Sequence, residues 1–210
     1  MNESESIKNS FRESLNYTIP VYFRLFINKI RLKSCGSKVF FDKNVTIMRY
    51  KKNVSIGSNC VLKEGVKICP CNANAKICIG KNTSIGYNTY IFASKNIEIG
   101  NDCMIAPFVY IVDSDHSIKK GIKMNQQPNL VSPIKIGDDV WIGSHVTVLR
   151  GVTIENGAVI GTKSVVNKNV GKNEVFAGIP AKKIYSRSDW IKFYFKTNKF
   201  IWVLIIKFFG

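Results

Sequence analysis

The sequence predicts a mainly β fold: a parallel β-helix with a helical N-terminal segment, one extruded loop and a helical C-terminal tail. Three observations carry this. Aliphatic residues recur every six positions, a small residue follows many of them, and the recurrence fails at one place only to resume. From Ile134 onward one register reads Ile136, Ile142, Val148, Ile154, Ile160 and Val166. A second, two residues earlier, reads Ile134, Val140, Val146, Val152, Ala158, Ser164 and Val170. The same pattern lies upstream at Ile56, Leu62 and Ile68, at Ile79, Ile85 and Ile91, and at Ile99, Ile105 and Ile111. A period of six fits neither an amphipathic helix nor a hairpin array. It fits a solenoid in which each hexapeptide supplies a short strand and a turn. Inward aliphatics then stack on their equivalents, with strands of adjacent coils about 4.8 Å apart. The small residue, as in Ile79-Gly80 or Ile142-Gly143, spares a crowded corner. A two-residue slip near Lys95-Asn96 reads as a longer corner pointing outward.

The elements follow in order. Residues 1–52 form an N-terminal flank rich in Leu, Ile, Phe and Tyr, read as a helical cap over the open end of the solenoid. Pro20 is expected to break or bend a helix there. The β-helix is placed at 53–184, with a loop extruded at 115–133 where the repeat gives way to a polar stretch. Residues 185–210 form a basic-aromatic tail whose apolar runs fall short of the roughly 20 residues of a spanning helix.

The 210 residues carry a net charge of +17, and its distribution is uneven. Residues 1–52 hold eleven Lys/Arg against four Asp/Glu, and residues 182–210 hold seven against one. The body between is nearly balanced, so the basicity belongs to the flanks. Such flanks could meet anionic lipid, acidic polysaccharide or nucleic acid, or are lysines that keep the protein soluble; for the function expected below, nucleic acid is not a partner. The polar, acidic start MNESESIKNS lacks the pattern of a signal peptide, which makes a cytoplasmic location the default. Six cysteines without C-x-x-C spacing are read as free thiols, and Cys69-Pro70-Cys71 as core or turn.

The segment from Ile136 through Gly137-Asp138-Asp139-Val140-Trp141-Ile142-Gly143-Ser144-His145, with Gly151-Val152-Thr153-Ile154 and Ala177-Gly178-Ile179-Pro180-Ala181-Lys182, resembles the hexapeptide-repeat acetyltransferases. Galactoside, maltose, serine and many polysaccharide O-acetyltransferases belong to that family. The resemblance covers about residues 53–184. It implies a left-handed β-helix of triangular section, three hexapeptides per coil, a homotrimer with active sites between subunits, and acetyl-coenzyme A as co-substrate. It also implies a loop, here 115–133, that reaches over a neighbouring subunit.

Acetyl transfer to a hydroxyl needs a base, donors for an oxyanion and a seat for the coenzyme. Only His116 and His145 are histidines. His116 stands where the repeat gives way to the loop, the place of the family's catalytic histidine, and is expected to be the general base. Asp113 or Asp115 could orient its ring, as could a backbone carbonyl. His145, on the coil, is read as a surface or subunit-interface residue. By the resemblance, Trp141 and Asn88 line the tunnel for acceptor and pantetheine. Ser144, Thr162, Asn167, Lys168, Lys182 and Lys183 are likewise expected to hold the coenzyme, the lysines meeting phosphate as point charges. No metal is expected, since carbonic-anhydrase-like chemistry on this scaffold needs three histidines.

The function expected is O-acetylation of a sugar hydroxyl on a surface-polysaccharide or lipopolysaccharide precursor. N-acetylation of an amino sugar or small xenobiotic, and an inactive assembly module, are the alternatives. The tail, with Trp190, Phe193, Trp202 and Lys196 among its residues, either lies on an anionic membrane or packs on the trimer.

Overall fold

A computed structural model describes residues 12–189, and they form a parallel β-solenoid of six complete coils. Each coil gives one short strand to each of three sheets. The first face stacks Ser34–Cys35, Val54–Ile56, Lys76–Ile79, Asn96–Ile99, Ile134–Ile136 and Thr153–Ile154. The second stacks Phe40–Phe41, Val61–Leu62, Ser84–Ile85, Met104–Ile105, Trp141–Ile142, Val159–Ile160 and Glu174–Gly178. The third stacks Thr46–Ile47, Lys67–Pro70, Tyr90–Ala93, Tyr110–Val112, Thr147–Val148 and Val165–Val166.

The single period-six register of the sequence thereby resolves into three inward ladders. Ile56, Ile79, Ile99, Ile136 and Ile154 are register partners on the first face. Phe41, Leu62, Ile85, Ile105, Ile142 and Ile160 align on the second. Ile47, Ile68, Ile91, Ile111, Val148 and Val166 align on the third. All are buried, and each such side chain contributes about 1.5–3 kcal/mol by leaving water. The second register carries small polar groups that satisfy corner carbonyls. The Thr83 hydroxyl donates to Gly100 O at 2.9 Å, Thr89 to Ala106 O at 3.0 Å and Ser164 to Gly161 O at 2.6 Å.

Two corners turn through a left-handed residue in every coil. Between the first and second faces these are Lys38, Asn59, Asn82, Asp102, Asp139, Gly157 and Asn173. Between the second and third they are Asn44, Gly65, Asn88, Phe108, His145 and Lys163. Gly, Asn and Asp bear positive φ at little cost; Lys38, Phe108, His145 and Lys163 are the other residues at these corners, and the last three stand on successive upper coils.

Several sequence expectations are corrected. The β-helix starts at Ser34 rather than at 53, because the turn at Lys51–Asn53 lengthens the corner and hides the first coil from a strict six-residue count. Pro20 does not break the helix α1, Ile19–Arg31: it occupies the first turn, where no N–H is needed. Helix α1 lies against the first coil, with Leu25 joining the main core and Val21 meeting Phe40 and Val61. The Lys95-Asn96 corner does not merely bulge outward; it wraps a buried carboxylate, described below. The loop leaves the coil one residue before 115, as a hairpin of Ser114–His116 with Asn129–Val131. The chain beyond 184 does not begin as a helix: Ala181–Ser186 is a strand antiparallel to Glu174–Gly178. The rest of the tail, from Trp190, lies outside the described residues.

All six cysteines are free. Cys69 and Cys71 lie on or beside the third face with sulfurs 3.8 Å apart, and burial followed by the neighbouring Cys71 pushes the Cys69 thiol up to about 11. No helix among the described residues is long and apolar enough to cross a membrane.

Candidate active site

The hairpin rises from the corner between third and first faces on the fourth coil. Its base is set by Asp113, a fully buried carboxylate. Asp113 accepts the backbone N–H of Ser94 at 2.5 Å, and those of Lys95 and Asn96 at 2.8 Å each. These three N–H donors leave neither oxygen of the buried carboxylate without a partner. Beyond it, Ser94 and Ser114 hydroxyls lie 3.1 Å apart. Asp115 forms an ion pair with Arg150 of the next coil, Nε to Oδ2 at 2.6 Å. Further out, the Gln127 amide organises the loop by accepting Lys119 N–H at 2.8 Å and donating to the carbonyls of Lys119 and Ile122 at 3.0 and 2.8 Å.

His116 ends the outgoing hairpin strand opposite Asn129 and is exposed. Neither aspartate orients it: Asp113 is spent on the corner below and Asp115 on Arg150. Among the described residues no hydrogen bond reaches the His116 ring. Sequence spacing puts both aspartates near the histidine; only the coil below shows which groups they serve.

Trp141 stands on the second face of the fifth coil, half exposed, between Met104 and Val159 in register. It lines a cavity of about 290 Å³ with Val159, Val175, Tyr185 and Arg187. The Arg187 guanidinium is held by Asp139 at 2.8 Å and by Gly157 O at 2.9 Å. Sequence reasoning misses Arg187 because it lies past the repeat, beyond Lys182 and Lys183.

Asn88 is a left-handed corner residue on the third coil, outside that cavity. Ser144 and Thr162 occupy the same edge on consecutive coils, where the space beside Gly143 is closed by the Thr162 backbone. The Ser144 hydroxyl lies 3.3 Å from His145 Nδ1, and the His145 ring stacks on Phe108 at 4.9 Å. His145 is thus an exposed corner side chain, as its place on the coil suggests. Asn167 and Lys168 are exposed on the corner that also bears the hairpin, two coils further along. Lys182 and Lys183 lie on the terminal antiparallel strand, where Lys183 Nζ is paired with Glu174 at 2.6 Å. No group of three His, Cys, Asp or Glu able to hold a metal occurs among the described residues.

One chain therefore brings Trp141, Ser144 and Thr162 to the second face and its edge, and His116, Asn167 and Lys168 to the far edge of the third. Between these edges lies an aromatic patch that sequence reasoning misses. Tyr90 and Phe92 stack at 6.0 Å and 7°, Tyr110 meets Phe92 edge-on at 6.0 Å, and Lys67 sits 4.9 Å over Tyr90. Its one sequence signal is that aromatics hold three of the four outward positions of two consecutive third-face strands, the fourth being Val112.

Comparison with known proteins agrees with this architecture. Residues 133–168 match the family profile described as bacterial transferase hexapeptide (six repeats), and residues 76–111 match the hexapeptide repeat of succinyl-transferase. Galactoside O-acetyltransferase of Escherichia coli (strain K12) is 37% identical over 126 residues, which are 60% of this chain and 62% of that protein. The chain thus spans a little under two thirds of that relative's length. WbbJ of the same strain, named for lipopolysaccharide biosynthesis O-acetyl transfer, is 32% identical over 162 residues, 70% of this chain and 82% of that protein. A solved galactoside acetyltransferase in complex with coenzyme A superposes with a TM-score of 0.63 at 27% identity, covering 87% of this chain and 78% of the other. With the repeat, the stacked coils and the extent of the match to WbbJ in agreement, the chain belongs to the hexapeptide-repeat acetyltransferase family.

Proposed function

We propose that this chain transfers an acetyl group from acetyl-coenzyme A to a sugar hydroxyl of a surface-polysaccharide or lipopolysaccharide precursor, in the cytoplasm, with His116 as general base. The acceptor oxygen attacks the thioester carbonyl as His116 takes its proton. The carbon–sulfur bond then breaks, the thiolate leaves with that proton, and the products are an O-acetyl ester and free coenzyme thiol. The observation that carries this reading is the placement of His116. It is an exposed ring at the foot of a hairpin, with no hydrogen bond to its ring among the described residues and so open to a substrate proton.

The same placement asks for a second copy. His116 and Trp141 lie on different faces, so a histidine reaching a neighbour's Trp141 ledge would complete the site in a homotrimer. There Ser144 and Thr162 would steady the oxyanion and the pantetheine arm, and Arg187 and Lys182 would face the anionic end of the coenzyme. The Tyr90, Phe92 and Tyr110 patch offers flat apolar faces for the apolar side of a sugar ring, with hydroxyls for its polar rim. The names of galactoside O-acetyltransferase and WbbJ support a sugar acceptor.

The test is thiol release from acetyl-coenzyme A over a panel of mono- and oligosaccharides of bacterial surface glycans. His116→Ala should lower turnover about 10²-fold or more. Absence of thiol release with every sugar, or full activity in the variant, would remove the reading.

A further inference from the structure

Helix α1 is apolar on two sides. Val21 and Leu25 face the first coil and are buried. On the opposite side Ile19, Tyr22, Phe23, Phe26 and Ile30 recur at helical spacing and form a second stripe, with exposures of 86, 59, 63, 60 and 57%. Among the described residues only Tyr22 of this stripe meets another ring, tilted against Tyr17 at 5.9 Å. Five large apolar side chains that no described residue covers, on a helix of 13 residues, are a costly surface to leave in water.

The charge around the stripe selects what covers it. Between Glu13 and Asp42 the chain carries Arg24, Lys29, Arg31, Lys33 and Lys38 and no acidic residue. Lys29 and Arg31, both exposed, flank the stripe on its two sides. Beside it an opening of about 220 Å³ separates the helix from the first coil, with Phe23, Ile27, Arg24 and Arg31 among its walls. The Arg24 Nε is bound to Phe41 O at 2.8 Å, so Arg31 is the cation at the rim. A second copy of this chain would bring the same positive charge against this surface and be repelled. A bilayer surface supplies both missing partners at once: an acyl boundary for the rings and anionic phosphates for the cations.

We propose that α1 lies in the plane of an anionic membrane surface, with Tyr22, Phe23, Phe26 and Ile30 in the acyl boundary and Lys29 and Arg31 at the headgroups. This inference stands apart from acetyl transfer and from the C-terminal tail. Flotation of the full chain with vesicles tests it, using phosphatidylcholine alone and phosphatidylcholine mixed with phosphatidylglycerol. The chain should float with the mixed vesicles, less so in high salt, and not with the neutral ones. The double variant Phe23→Ser, Phe26→Ser should lose about tenfold or more in vesicle partitioning with its thermal midpoint unchanged. In a second variant, Phe26→Trp, the emission of the introduced indole, read as the difference from the wild type with its own Trp141, Trp190 and Trp202, should shift to the blue on mixed vesicles and be quenched by brominated acyl chains. Wild-type-like flotation of the double variant overturns the proposal, as does absence of flotation by the wild type. An introduced indole that brominated chains leave unquenched overturns it too. So does a fall in particle mass of the double variant without vesicles, which would make the stripe an interface between copies.

Discussion

The buried carboxylate of Asp113 accepts the backbone N–H of Asn96 at 2.8 Å, tying the corner of one coil to the foot of the hairpin on the next. Asp113→Asn keeps the shape but turns one acceptor into a donor facing N–H groups. It should cost about 2–4 kcal/mol. Urea unfolding should show a lower midpoint at unchanged slope; an unchanged midpoint would mean that the carboxylate does not hold the corner.

Arg150 and Asp115 tie the hairpin to the fifth coil through a pair that is roughly a third to a half exposed, 36% and 46%. Arg150→Gln should therefore change stability by less than about 1 kcal/mol. Its effect should fall on activity instead. A hairpin released from Arg150 presents His116 less accurately, and turnover should drop between about 5- and 100-fold. Asp115→Asn should do the same, and the double variant should be no worse than either single one.

Gly80 has no unusual backbone angle, yet a Cβ there would come within 2.5 Å of the Gly100 carbonyl carbon on the next coil. Gly80→Ala should wedge two coils apart and cost about 2 kcal/mol or more. Gly121 is the contrasting case: it has φ of +91° with nothing within 4 Å, so Gly121→Ala should cost only the backbone strain, about 1 kcal/mol. Thermal midpoints of the two variants separate crowding from strain.

The Lys183 ammonium, first, and the Gly171 N–H, second, hold the Glu174 carboxyl below its ordinary value. A carboxylate with a lowered folded pKa stabilises the fold above its unfolded pKa and loses that contribution as pH falls through the folded one. Glu174→Gln should thus be less stable than wild type at neutral pH, by no more than about 1 kcal/mol for so exposed a pair. The difference should vanish in acid below the usual carboxylate range, as denaturation midpoints across pH would show. A gap that widens in acid would contradict the assignment.

What the sequence determined by itself was the solenoid and the position of its interruption. Ile136, Ile142 and Val148 repeat a local pattern that needs no distant partner to be recognised, and the glycine after an aliphatic signals a close neighbour above. The place of His116 on the hairpin is legible because it stands at the break. Tertiary structure decided everything that depends on which residue of one coil lies over which residue of the next. Successive partners on the first face are Ile56, Ile79, Ile99, Ile136 and Ile154, so insertions make the coil length vary and no fixed spacing predicts vertical neighbours. That is why Asp113 serves Ser94–Asn96 rather than His116, and why Tyr90 and Tyr110 meet on one face. It is also why the first coil, at 34–47, reads as flank in the sequence. Helix α1 follows the same rule: its two apolar sides look alike as sequence, and only packing against Phe40 and Val61 shows which is buried and which is left to be covered.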